Sequence, residues 1–265
     1  MSHVDAPYAQ GTPCWVDLMS PDQQASIDFY KDLFGWSAEI GPAETGGYAI
    51  CTLDGRPVAG IGAAMAMGDQ PPPPTVWTTY LAAVDADDVA AKIAAAGGQV
   101  MVPAMDVTDV GRMLIAVDPT GAVFGVWEPK GFFGAQIVNE PGALSWNELN
   151  TRDASAAGAF YTAALGISVE AMGEMPGYSG LHAGGRLVGG LQTMTDEMFP
   201  AEIPAHWMTY FAVDDCDSTV DAHVKAGGTV MAAPFDFPFG RMAVLADPQT
   251  AVFSVIQLNS ESGGS

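Results

Sequence analysis

The sequence predicts an α+β protein made of two similar halves, each half itself a pair of β-α-β-β-(β) modules. Three observations carry this. Ordered segments recur at an offset of 129 to 131 residues: Cys14-Trp15-Val16-Asp17-Leu18 returns as Ser145-Trp146-Asn147-Glu148-Leu149, and Phe29-Tyr30 as Phe160-Tyr161. Trp77-Thr78-Thr79-Tyr80 returns as Trp207-Met208-Thr209-Tyr210, Gly111-Arg112-Met113 as Gly240-Arg241-Met242, and Asp118-Pro119 as Asp247-Pro248. Within each copy, short alternating stretches enclose two segments of helical period. Finally, 49% of residues are hydrophobic, 15% are charged and 31 are glycine, the composition of a packed chain.

In the first copy, Trp15 to Met19 alternates as a strand. Ser20-Pro21-Asp22-Gln23 then offers a Ser N-cap with Pro at the first helical position, and Ile27, Tyr30 and Phe34 follow at helical spacing until Gly35. Tyr48 to Leu53 and Pro57 to Gly62 flank the hairpin turn Asp54-Gly55, and Val76 to Ala83 opens the next module. Asp87 to Ala96 is a second helix stopped by Gly97-Gly98. Val100 to Val102, Arg112 to Val117 and Ala122 to Trp127 are strands, the last two joined by the turn Asp118-Pro119-Thr120-Gly121. The expected organisation is a first domain over 10–128 (modules 11–66 and 75–128), a linker over 129–142, and a second domain over 143–258 (modules 143–195 and 205–258).

The formal charge of −22 argues against nucleic acid and anionic membrane as partners, because both require a basic face. Met1 to Pro13 carries no basic and apolar leader pattern, and no stretch reaches the roughly 20 apolar residues of a membrane helix, so a cytoplasmic location is expected. Cys14, Cys51 and Cys216 are an odd, unspaced set that reads as buried reduced thiols. Motifs of nucleotide sites, serine hydrolases, zincins and EF-hands are absent.

The order of these motifs, twice over, resembles the vicinal oxygen chelate superfamily, which includes glyoxalase I, bleomycin-resistance proteins and extradiol dioxygenases. GTPCWVDL, WTTY, GGQVM, GRM and DPTG are similar to the tandem glyoxalase-like proteins of actinobacteria, among them proteins described as hydroxylases near polyketide pathways. The resemblance covers about residues 10 to 258 and implies two βαβββ modules per domain, forming a curled mixed sheet around a cavity. It also implies a divalent metal held by His or Gln on first strands and Glu near last strands. Counted onto this chain, those positions fall on Trp15 and Trp146, at or beside Thr78 and Met208, on Gly125 and Ser254, and among Gly60 to Gly62 and Gly190 to Gln192. Indole, thioether and glycine supply no hard-metal ligand, so neither a metal nor any other cofactor is expected.

What remains in each copy is a Trp-x-acid pair, Trp15 with Asp17 and Trp146 with Glu148, two residues apart and hence on one strand face. An aromatic wall beside a desolvated carboxylate suits a flat apolar ligand and general-base catalysis by Asp17 and Glu148. The alternative is that Trp fills the vacated volume and the acid anchors a loop. Tyr80 and Tyr210 are candidate donors to a ligand carbonyl, or core residues. Arg112 and Arg241, at matching places among only nine basic residues, are candidate partners of an anionic oxygen, or ion-pair partners of an acid such as Asp17 or Asp118. His206 is a further candidate contact or a structural hydrogen-bonder.

The expected function is metal-independent lyase, isomerase or hydroxylase-like action on a hydrophobic, oxygen-rich small molecule such as an aromatic polyketide or quinone. The alternatives are drug sequestration of the bleomycin-resistance kind and a metal-dependent lyase or dioxygenase. The chain is expected as a monomer with two internal domains or as a homodimer, with the two cups unequal.

Overall fold

Sixteen strands and four helices alternate in a fourfold pattern in the computed structural model, which describes all residues except 1–2, 66–71, 174 and 260–265. The first copy supplies β1 (Pro13–Ser20), α1 (Gln23–Phe34), β2 (Ser37–Glu39), β3 (Ala49–Leu53), β4 (Arg56–Ala63), β5 (Trp77–Ala82), α2 (Ala86–Ala95), β6 (Gln99–Val107), β7 (Gly111–Val117) and β8 (Val123–Pro129). The second supplies β9 (Leu144–Thr151), α3 (Ala154–Leu165), β10 (Ser168–Ala171), β11 (Tyr178–Ala183), β12 (Arg186–Thr193), β13 (His206–Ala212), α4 (Cys216–Lys225), β14 (Thr229–Phe237), β15 (Gly240–Ala246) and β16 (Val252–Leu258). Each copy forms one mixed eight-stranded sheet, ordered β2-β3-β4-β1-β5-β8-β7-β6 and β10-β11-β12-β9-β13-β16-β15-β14.

The local signals act as their chemistry requires, with one correction. The hairpin turn holds Asp54 at φ 49° and Gly55 at φ 75°, the left-handed pair that a tight two-residue connection demands. Ser20, however, does not cap α1: Asp22 does, its carboxylate accepting from the Ala25 amide at 3.0 Å. The Ser20 hydroxyl instead lies 2.8 Å from that of Ser26 and donates to Gln249 of the other copy at 2.9 Å. Gln249 also accepts from the Asp22 amide at 2.8 Å, so the N-terminus of α1 is docked onto the last turn of the second copy.

The helices lie on one face of each sheet, and these faces meet. One core cluster joins the first module to the fourth, Tyr30, Phe34 and Trp36 packing on Phe211 and Phe253. Another joins the second to the third, Phe124 packing on Phe160 and Tyr161. Two reciprocal hydrogen-bond chains cross this seam. Trp77 donates to Tyr30 at 3.0 Å, and Tyr30 donates to Asp247 at 3.0 Å. Trp207 donates to Tyr161 at 2.9 Å, and Tyr161 donates to Asp118 at 3.0 Å. The repeated Phe-Tyr, Trp-x-Thr-Tyr and Asp-Pro motifs are thus parts of one device that locks each copy to the other.

The cysteines are buried and unpaired, and no helix among the described residues is long and apolar enough to cross a membrane. Tyr30 is wholly buried, so Tyr30→Phe leaves the Trp77 indole and one Asp247 oxygen without their partner. We expect a loss of about 1–3 kcal/mol in denaturant unfolding, with unchanged far-ultraviolet circular dichroism; unaltered stability would show that the crossed chains are dispensable.

Candidate functional site in the two cups

Strand alternation sends Trp15, Asp17 and Met19 of β1 to the face opposite the helices, together with Thr78 and Tyr80 of β5. Trp146, Glu148 and Asn150 of β9 and His206, Met208 and Tyr210 of β13 do the same in the second copy. Register aligns them in rungs: Asp17 lies opposite Gly60 and Thr78, Glu148 opposite Gly190 and Met208, and Tyr80 and Tyr210 lie beside Gly125 and Ser254.

At the floor of each cup the same network forms. The Trp15 indole donates to the Tyr48 hydroxyl at 2.9 Å, and the Tyr48 and Tyr80 hydroxyls donate to Asp17 Oδ2 at 3.2 and 3.1 Å. Asp17 is 3% exposed and its second oxygen has no hydrogen bond, so burial raises its carboxyl pKa to about 7 despite the two phenols. In the second cup the Trp146 indole donates to Tyr178 at 3.0 Å and Tyr210 donates to Glu148 Oε1 at 2.9 Å, with Tyr178 and Asn150 standing beside that carboxylate. Burial raises the Glu148 pKa as well, opposed by these donors.

Tyr48 and Tyr178 escaped the sequence reading because they stand at the very start of their strands, Tyr48 just before β3 and Tyr178 as the first residue of β11, where alternation does not fix side-chain direction. A Gly-Tyr pair recurring at 47–48 and 177–178 was the available signal. Tyr80 and Tyr210 turn their hydroxyls to the carboxylates and not to an open ligand position.

The same geometry tests the metal site implied by the fold. A Cβ on Gly60 would lie 1.8 Å from the Tyr48 hydroxyl, one on Gly125 would lie 2.2 Å from the Tyr80 ring, and one on Gly190 would lie 2.0 Å from the Tyr178 hydroxyl. Tyrosine rings therefore fill the space where side chains of the implied ligand positions would project. Among the described residues no group of three His, Cys, Asp or Glu converges. The residues present do not fit a divalent metal.

Among the described residues the cups differ in what lies over them. In the first, the connector after β8 crosses the mouth: the Phe132 amide donates to Val110 O at 3.0 Å, the Trp127 indole donates to Phe132 O at 2.7 Å, and the Phe132 ring stands edge-on to Trp15 with centroids 4.9 Å apart. Val107, Met113 and Ile115 complete this plug. In the second, Ile256 replaces Trp127, and Trp146 and Glu148 are partly exposed. The rung above the acid differs too: Gly62, Met19 and Val76 in the first cup become Gln192, Asn150 and His206 in the second.

Arg112 and Arg241 are not brought to either cup, a correction to their candidacy as ligand contacts. They share a strand face with Leu114 and Ala243, which pack beneath the helices. Arg112 pairs with Asp87 at 2.8 Å, with Asp106 and Glu128 beyond it, and not with Asp17 or Asp118. Arg241 binds Asp217 at 2.7 Å and Asp236 at 2.9 Å. In a chain this acidic, both tie a helix to the sheet margin. His206 does reach the second cup: its Nδ1 donates to Pro204 O at 2.9 Å and its ring packs edge-on to Phe199, burial lowering its pKa.

Comparison with known proteins agrees with this architecture. Residues 13–126 match the Glyoxalase/Bleomycin resistance protein/Dioxygenase superfamily, and residues 147–256 match a glyoxalase-like domain. The chain is 46% identical over 255 residues to "Putative glyoxylase CFP32" of Mycobacterium tuberculosis, covering 94% of this chain and 96% of that one. It is 39% identical over 270 residues to the anthracycline biosynthesis protein DnrV of Streptomyces peucetius, covering 95% and 94%. Among solved structures, the Mn(II)-bound glyoxalase of Novosphingobium aromaticivorans superposes with a TM-score of 0.63 at 16% identity over 97% of this chain and 86% of that one. The 2,3-dioxygenase LapB of Pseudomonas sp. KL28 gives 0.63 at 14% identity over 95% and 93%. With both halves matched and full-length relatives of this similarity, the chain belongs to the glyoxalase/bleomycin resistance protein/dioxygenase superfamily, as a tandem of two glyoxalase domains.

Proposed function

We propose that the second cup is the working site and that Glu148 is a general base acting, without a metal, on an aromatic polyketide or related oxygen-rich small molecule. The observation that carries this is that Glu148, hydrogen-bonded by Tyr210 beside Trp146, is partly exposed, while its counterpart Asp17 is 3% exposed in the cup where Phe132 packs on Trp15. The similarity to proteins named for anthracycline biosynthesis supports the substrate class.

The chemistry that closes on the protein's own groups is proton transfer at a carbon next to a carbonyl. Glu148 takes the C–H proton, the electron pair moves into the carbonyl to give an enolate, and the acid returns the proton to oxygen or carbon. No oxidant or further reactant is consumed, so the reaction is an isomerisation. The raised pKa of Glu148 strengthens it as a base relative to an exposed glutamate, and Trp146 supplies a surface for a flat ring.

Washout of the methylene protons of a hydroxyanthrone into D2O, followed by proton NMR, tests this reading. Glu148→Gln should slow exchange by about 100-fold or more, a typical general-base contribution, without change in fold. Binding of the probe with no catalysed exchange would instead favour sequestration of the bleomycin-resistance kind, and loss of exchange in Asp17→Asn with retention in Glu148→Gln would move the site to the first cup.

Two pH dependences follow. Exchange requires ionised Glu148, so its rate should fall as pH drops through a value above the ordinary 4.5 of a glutamate. Asp17, raised from 3.8 to about 7, favours the folded state when protonated. That stabilisation is fully present below pH 3.8 and is lost as pH rises through about 7, so Asp17→Asn should flatten the pH dependence of thermal unfolding in this window. An unchanged slope in the variant would contradict the assignment.

A further inference from the structure

The second cup differs from the first in the hydrogen-bonding character of its upper rung as well as in its openness. Asn150 is 2% exposed; its side chain stands beside the Glu148 carboxylate and holds that pKa down, and its Oδ1 is buried with no partner. Gln192, beside it in the register, spends Nε2 on the carbonyls of Thr193 and Gly177 at 2.8 and 3.5 Å, so Oε1 is the end left over. His206, on the other side of Asn150, donates Nδ1–H to the Pro204 carbonyl, so in the neutral ring Nε2 is a lone pair. Burial lowers the His206 pKa and favours that neutral form. Asn150 Oδ1, Gln192 Oε1 and the neutral His206 Nε2 are thus three acceptors without a protein partner, in line above a carboxylate.

We propose that this rung selects a ligand bearing hydroxyl groups along one edge, a polyphenolic or hydroquinone-type aromatic, over the corresponding quinone or ether. The first cup indicates where the ring lies. Phe132 occupies that cup edge-on to Trp15, and Trp146 presents the same surface in the second cup, so the bound ring stacks or stands against Trp146 with its hydroxyls towards Asn150, Gln192 and His206. A quinone oxygen or an ether placed there would meet acceptors only and leave Asn150 Oδ1 unsatisfied. A cation would also suit acceptors, but the array holds a single carboxylate, already bonded by Tyr210, and among the described residues no second acid or histidine pair converges on it.

This inference rests on the second cup being the binding site and deepens that reading. It is tested by equilibrium binding of 2,3-dihydroxynaphthalene and 2,3-dimethoxynaphthalene, which share a ring and differ in donors, followed by tryptophan fluorescence with and without EDTA. The diol should bind about tenfold or more tightly than the ether. Asn150→Met, which writes in the first-cup residue, should erase most of that preference while leaving the thermal midpoint equal or higher, because an unpaired buried oxygen is removed. Gln192→Met is the second variant and should reduce the preference in the same direction. Equal binding of diol and ether, an undiminished preference in both variants, or a preference abolished by EDTA would each overturn the proposal. Proton exchange that depends on Glu148 alongside equal binding of the two naphthalenes would sink this inference alone. A diol preference carried by Asn150 with no exchange would sink the catalytic reading and leave this one standing.

Discussion

The two hydrogen-bond chains Trp77–Tyr30–Asp247 and Trp207–Tyr161–Asp118 are the constraint on which the molecule turns. Each tyrosine is wholly buried and must find both a donor and an acceptor, and it finds them on different copies. Asp118 and Asp247 are at the same time the pivots of their own turns, each Oδ1 holding the backbone amides two and four residues on. A tight turn in one half therefore depends on a helix in the other. With the seam fixed, the faces of β1, β5, β9 and β13 that turn away from it are committed to the cups, and the Trp-x-acid pairs have one place to point.

Within the cups, tyrosine takes the part that ligand side chains would play in a metal-binding relative. Glycine at 60, 125 and 190 opens room for the rings, and the rings deliver phenols to a single carboxylate. The price of that arrangement is a desolvated acid. The first cup carries it in full, with one oxygen of Asp17 unbonded, whereas Glu148 is partly exposed.

Much of this was legible in the sequence, and the gaps have physical reasons. Period-two alternation put Trp15 with Asp17 and Trp146 with Glu148 on one face because that inference needs only strand geometry. The repeated Phe-Tyr and Asp-Pro motifs were visible, but their role was not, since it depends on which module of one copy packs on which of the other. Ser20 read as a helix cap because Pro21 follows it; the turn of the second copy, 227 residues beyond Asp22, takes its hydroxyl instead. Arg112 and Arg241 drew attention by scarcity, yet their strand parity, shared with Leu114 and Ala243, already placed them under the helices. Tyr48 and Tyr178 lie at hairpin entrances, where alternation gives no warning of side-chain direction.

The segment that closes the first cup is also the segment that joins the copies. Two identical domains associating as separate chains can keep a twofold axis and two equal cavities. A head-to-tail fusion cannot, because one domain alone must send a strand of chain from its last β-strand to the first of its neighbour, and here that path runs over its own cavity, with Ala135 bonded to Cys14 and Gln136 to Pro57 on the way. Covalent linkage by itself thus sets the halves apart: the path between them fills the first cavity with the aromatic side chains of Trp15, Trp127 and Phe132, so the joint between the copies is also part of one copy's core.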